Sequence, residues 1–206
     1  MKRRVAVLAI SSALVLGLAA WLHAPLLRAL APSSACPVGA PTLDSMEHTR
    51  VAAMQPLRGT LAAPTRSALG FELGHTTVAM AERPGCAWEI PAALLRCTEG
   101  QGSLVARFDT KGLLVGLDRR GTAVEPAAAV QAFEARVRSY ETDFGAPHAR
   151  GGDASVAFLS EPLRQAGVRY RFEDLTIDVT VTHLGRGVVL REQVREIPPA
   201  PRGQGG

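Results

Sequence analysis

Five histidines, three cysteines and a surplus of arginine carry most of the chemistry in this 206-residue chain. His23, His48, His75, His148 and His183 are scattered, and none stands in an HExxH or HxH arrangement. The sequence therefore carries no signature of a metal centre. His75 precedes an expected helix and His183 falls in an expected turn, positions that suit surface or capping roles. Ser139 and Ser155 lack the GxSxG elbow that presents a nucleophile. No GxxxxGK[ST] or GxGxxG loop is present to cradle phosphates. Glu173, Asp174 and Asp178 form a local acid group. Neighbouring strand residues point to opposite faces, so this group reads as a solvated strand end rather than a paired-carboxylate site. No catalytic, cofactor-binding or metal-ligating residue is named by these patterns, and no cofactor is expected. A non-catalytic role is the favoured reading. The alternative is a small exported hydrolase with a loop-assembled site, which a pocket joining His75 or His183 to a carboxylate would mark.

The cysteines are Cys36, Cys86 and Cys97. In an exported chain Cys86 and Cys97 would pair, and closing their short loop would stabilise the fold by about 3 kcal/mol. The competing reading makes them small buried apolar side chains. Cys36 is then the odd thiol: lipidated, removed, paired between chains, or free. Arginine outnumbers lysine 21 to 2, and Lys111 is the only lysine beyond the first 35 residues. Codon composition accounts for that bias in a chain also rich in Ala, Gly and Pro. The functional version gives Arg169 and Arg171, beside Thr176, Asp178 and Thr180, a partner-binding surface on the wet face of the C-terminal strands.

These residues need elements to hold them. Pro126 opens a helix over 126–143, in which Val130, Phe133, Val137, Tyr140 and Phe144 fall 3 or 4 apart on one stripe. Gly145 stops it. Leu104, Ala106 and Phe108 alternate with polar neighbours, and after a turn at Gly112 so do Leu113, Val115 and Leu117. The same period runs through Val168, Tyr170 and Phe172, through Leu175–Val181, and, after Gly185–Gly187, into Val188–Leu190. One apolar and one polar face predict an antiparallel sheet covered on one side. The expected fold is α+β: about 6–8 antiparallel strands packed on the long helix, with short helices beside it. Residues 44–58 form a short helix cut at Pro56. Ala63-Pro64 precedes Trp88 by nearly the distance that Ala146-Pro147 precedes Tyr170, which suggests two tandem units, 43–124 and 125–197, the second a helix plus a three-stranded meander.

The formal charge of +4 resides in the first 35 residues, where Lys2, Arg3, Arg4 and Arg28 meet no acid. Beyond them basic and acidic residues balance, which argues against a nucleic-acid partner. Lys2-Arg3-Arg4 followed by uncharged residues to Leu27 makes 1–27 a signal peptide or signal anchor that sends the rest outward. The protein is thus expected in the periplasm, or membrane-anchored and facing away from the cytoplasm. Cleavage after Ala31 or Ala35, retention, and lipidation at Cys36 all stay open. The residues before Cys36 lack the large aliphatic residue usual three places upstream of a lipidated cysteine. Residues 28–42 read as a Pro/Ala-rich linker and 198–206 as a disordered tail.

The phrase Phe71-Glu72-Leu73-Gly74-His75-Thr76-Thr77-Val78 resembles the opening of a small envelope module, in which Thr76 or Thr77 would cap a short helix running to about Glu82. Phe144-Gly145-Ala146-Pro147, then Tyr170-Arg171-Phe172 and a meander, is similar again. Together these resemble the outer-membrane assembly lipoproteins of the BamE/SmpA type and the two-unit architecture of the beta-lactamase inhibitory protein. The resemblance implies an exported α+β module that binds an envelope protein or serves envelope assembly.

Overall fold

Alternating apolar and polar residues build a sheet of eight antiparallel strands in the computed structural model, which describes residues 42–89, 93–100 and 102–199. The expected leader, Cys36, nearly all of the linker and the tail from residue 200 lie outside the described residues. The first run of strands is β3 (Cys86–Glu89), β4 (Leu94–Glu99), β5 (Gly102–Phe108) and β6 (Leu114–Arg120). The second is β7 (Ala149–Gly151), β8 (Gln165–Arg171), β9 (Leu175–His183) and β10 (Val188–Glu196). Their order across the sheet is β3-β4-β5-β6-β10-β9-β8-β7, so the last strand of each run meets the other at a central seam. A separate two-stranded sheet pairs β1 (Ser67–Ala68) with β2 (Phe71–Glu72). The fold is the α+β class expected. The second run has a fourth strand, β7, because the main chain of 149–151 pairs with β8 although its sequence does not alternate. β4 likewise escaped the pattern.

The long helix α3 (Pro126–Phe144) covers one sheet face and buries Ala129, Phe133, Val137, Tyr140 and Phe144. Val130 is only partly buried at the margin of this stripe, while Ala129 is fully buried. Gly145 ends the helix at φ 78°, a left-handed conformation that costs a glycine little. Under the helix Ile177, Val179, Val181 and Val194 are fully buried. Phe144 packs on Tyr140 and Phe172 at centroid distances of 5.9 and 5.8 Å. One charged group enters this interface: Glu192, 2% exposed. Its carboxylate meets Arg136 Nε at 2.9 Å and Arg119 Nη1 at 3.6 Å, and the Tyr140 hydroxyl donates to it at 3.3 Å.

The opposite face is not wholly open, contrary to the one-sided sheet expected. Helix α1 (Leu43–Met54) and a 3-10 turn at Gln55–Leu57 lie over part of it. Thr42 caps α1 by accepting from the Ser45 amide at 3.2 Å, and Pro56 falls in the turn rather than ending the structure. The apolar residues Leu94, Val105 and Val115 on this face share a recess with Met54, which is 4% exposed, and this greasy strip gives α1 a reason to dock. The following segment is tied down by main-chain bonds from Gly59 to the Phe172 carbonyl (2.8 Å) and from Glu173 to the Leu61 carbonyl (2.7 Å). Gln55 donates to the Pro198 carbonyl at 3.1 Å, so the first residue of the expected tail is fastened to the body.

Cys86 and Cys97 are bonded to each other, directly opposite one another on β3 and β4. The helix after Thr77 is a single turn, α2 (Val78–Ala81), and the expected threonine cap is not made. The Thr77 hydroxyl accepts no bond from that turn, while the Thr76 hydroxyl accepts from the Glu72 amide at 3.0 Å and closes its own loop. A fourth short helix, α4 (Val156–Leu159), precedes β8. Among the described residues no helix is long and apolar enough to cross a membrane.

Candidate functional site

Side chains directly opposite on neighbouring strands share a face. One such row runs Ala87, Arg96, Val105, Asp118, Gln193, Asp178, Arg169, Ala149 across all eight strands. The rows on either side add Arg120, Arg191 and Thr180, and Arg107, Arg195, Thr176 and Arg171. The face turned away from α3 therefore gathers arginines from five strands.

The geometry at its centre is specific. Arg191 grips Asp118 with Nε at 2.9 Å and a second bond from Nη2. Gln193 donates to the same carboxylate at 3.0 Å and accepts from Arg195 at 2.7 Å. Arg195 reaches Asp178 at 3.4 Å, where Arg171 also sits at 2.7 Å and Arg169 at 3.6 Å. This connected network spans β6, β10, β9 and β8. Burial pushes the Asp118 carboxyl up, but the Arg191 fork and Gln193 more than offset it and hold the group below the usual carboxylate range. Burial, partly countered by Asp178 and reinforced by Arg171 and Arg191, lowers Arg195. A groove of about 510 Å³ opens above the network, lined by Arg120, Arg169, Arg171, Arg191 and Arg195 with Asp178, and bounded by Leu57 and Leu184.

Of the five residues expected on a partner-binding face, four share this surface and one does not reach solvent. Arg169 is the most open, its side chain 67% exposed. Arg171, Asp178 and Thr180 are half-buried beside the groove. Thr176 is fully buried, at the end of the sheet where residues 55–61 are fastened. Asp118, Arg120, Arg191, Gln193 and Arg195 were missed. Their signal was the polar half of the alternation in 116–120 and 191–195, but only the pairing of β6 with β10 makes them neighbours.

The remaining candidates are spread through the fold. His48, His75 and His148 are exposed, and His148 Nδ1 accepts from the Arg171 amide at 3.2 Å. His183 ends β9 rather than sitting in a turn. Ser139 is on the exposed side of α3, and Ser155 caps α4 by accepting from the Phe158 amide at 3.2 Å. Asp174 accepts from the Ala63 amide at 2.9 Å, and Glu173 pairs with Arg58 at 3.7 Å. No cluster of three metal-ligating side chains occurs among the described residues. Compared with known proteins, the chain matches no family, no curated protein and no solved structure.

Proposed function

We propose that this chain is an exported, non-catalytic protein-binding or envelope-assembly module that engages its partner through the sheet face opposite α3. The observation that carries the reading is the open, arginine-lined groove of about 510 Å³ on that face. It is built on rigid strands, which hold side chains in place at little further ordering cost on binding. Interfaces also favour arginine over lysine. The charged start of the chain and the likeness of its Phe71–Val78 phrase to the BamE/SmpA type support an envelope setting. A disulfide between Cys86 and Cys97 is compatible with an oxidising compartment.

The test is a pull-down from envelope extract with the full chain as bait. Arg169→Glu is a cleaner probe than Arg171→Glu, because Arg171 is packed against Asp178 and its reversal would disturb the fold. Recovery of a partner should fall severalfold with Arg169→Glu at unchanged circular dichroism. Equal recovery by parent and variant counts against this face. An exported hydrolase is the alternative; turnover of ester or amide reporters that disappears with His183→Ala would favour it.

A further inference from the structure

The described residues hold 19 acidic and 18 basic side chains, so the body as a whole is slightly negative. The groove reverses that balance. Arg120, Arg169, Arg171, Arg191 and Arg195 face two carboxylates, Asp118 and Asp178. The local surplus is three positive charges, gathered by strand register and not by composition. Three guanidinium groups share the single carboxylate of Asp178. Arg120 stands directly opposite Arg191 across the β6–β10 seam and has no ion-pair partner among the described residues. Like charges placed directly opposite on neighbouring strands destabilise a sheet. A surplus held in this way is relieved when an anionic ligand arrives.

We infer that the groove binds an extended acidic protein segment bearing carboxylates on alternate residues. This deepens the binding-module reading and rests on it. The chemistry of the face favours carboxylate. Its charge surplus is entirely guanidinium, the group whose planar fork matches a carboxylate, and the Arg191–Asp118 pair shows that geometry within the face itself. Spacing agrees as well. A strand advances about 3.4 Å per residue, so residues two apart lie roughly 7 Å apart on one side. Arg169 and Arg171 have that relation on β8, and alternate carboxylates of an extended ligand repeat it. The three rows carry no Phe, Tyr or Trp on which nucleic-acid bases could stack, which disfavours a single-stranded nucleic acid.

The experiment measures fluorescence anisotropy of a fluorescein-labelled ten-residue peptide of alternating Glu and Ser, titrated with the full chain at low and physiological salt. Saturable binding is expected, weakening with salt because the groove is open to solvent. Arg120→Glu with Arg169→Glu should weaken it at least tenfold. Arg138→Glu, on the exposed side of α3, should change it less than twofold. A Gln-for-Glu peptide should not bind. Absence of saturable binding, or equal binding by the double variant, overturns the inference, and so does tenfold tighter binding of a dT oligonucleotide or of anionic vesicles. Pull-down recovery that depends on Arg169 while the peptide fails to bind would sink the acidic-segment ligand and leave the binding-module reading standing.

Discussion

At Gly59 the segment covering one end of the sheet lies directly against main chain of the strands. A Cβ there would overlap the Arg171 carbonyl oxygen, approaching its carbon to 2.6 Å and the Phe172 carbonyl carbon to 3.1 Å. Those atoms are main chain of β8 and its continuation and cannot swing aside. Gly59→Ala must therefore lift residues 58–63 away from the sheet. Three hydrogen bonds depend on that contact: Gly59 to Phe172 (2.8 Å), Glu173 to Leu61 (2.7 Å) and Ala63 to the Asp174 carboxylate (2.9 Å). At about 1 kcal/mol net for each bond, local opening becomes easier by about 3 kcal/mol. That is roughly a hundredfold in the opening equilibrium, since a factor of ten corresponds to 1.4 kcal/mol. The assay is native-state amide hydrogen exchange followed by NMR. Glu173 and Ala63 amides should exchange about a hundredfold faster in the variant, while amides of Val179 and Val194, under α3, keep their protection. Exchange of Glu173 within twofold of the parent would refute the reasoning, because it would mean the segment tolerates a methyl group where the geometry leaves no room.

Two further outcomes follow from the core. Removing the disulfide with Cys86→Ala and Cys97→Ala frees a crosslink of sequence separation 11 and should cost about 3 kcal/mol, seen as a lower urea midpoint that dithiothreitol reproduces in the parent; coincident unfolding curves for parent and double variant would contradict it. Burial raises the Glu192 carboxyl above the ordinary glutamate range, against the opposing pull of Arg136 and Arg119. The folded state then holds that proton more tightly than the unfolded chain does, so this contribution is full at acid pH and is lost as pH rises through the raised value. Glu192→Gln, which cannot ionise, should gain stability relative to the parent between pH 4 and 7 in urea unfolding. A relative loss over that range would reverse the sign and defeat the assignment.

The fold was legible where one periodicity dominated. Helix 126–144 could be read from its aromatic stripe and its glycine stop, and β5, β8, β9 and β10 from their alternation, because each buries a face whose residues recur at a fixed step. In β6 the expected step from Val115 to Leu117 breaks: a bulge against Arg107 and Phe108 leaves Leu114 and Leu117 in the core and turns Val115 to the recess under α1. β7 was not legible, since three residues pair through main chain alone and leave no mark in side-chain type. β4 escaped because Leu94-Leu95-Arg96-Cys97 places apolar residues side by side: Leu95 and Cys97 are buried on the α3 side, and Leu94 lines the recess under α1. That recess also explains the one-sided expectation, for Leu94 and Val105 stand among arginines on their own face and look incidental until a helix lies on them. The candidate site was half legible. Arg169, Arg171, Asp178 and Thr180 lie on two strands joined by a short turn, so local alternation brings them together. Asp118 lies 75 residues from Gln193, and no local pattern announces that their strands will pair.

That seam has a consequence for how the chain reaches its native state. Within each run of strands, neighbours follow closely in sequence, so their pairing needs little loop closure. Joining β6 to β10 closes a loop of about 75 residues, at an entropic cost of roughly 4 kcal/mol before helix α3 shortens it. The two runs can therefore assemble early and the seam last. Until the seam closes, β6 and β10 each present a bare hydrogen-bonding edge, and β6 carries Leu114, Val115 and Leu117 along it. The groove is incomplete at that stage, because Arg120 belongs to the first run and Arg169, Arg171, Arg191 and Arg195 to the second. A ligand that bridges Arg120 and Arg169 would consequently act as a clamp, drawing the equilibrium toward the joined sheet in proportion to how tightly it binds.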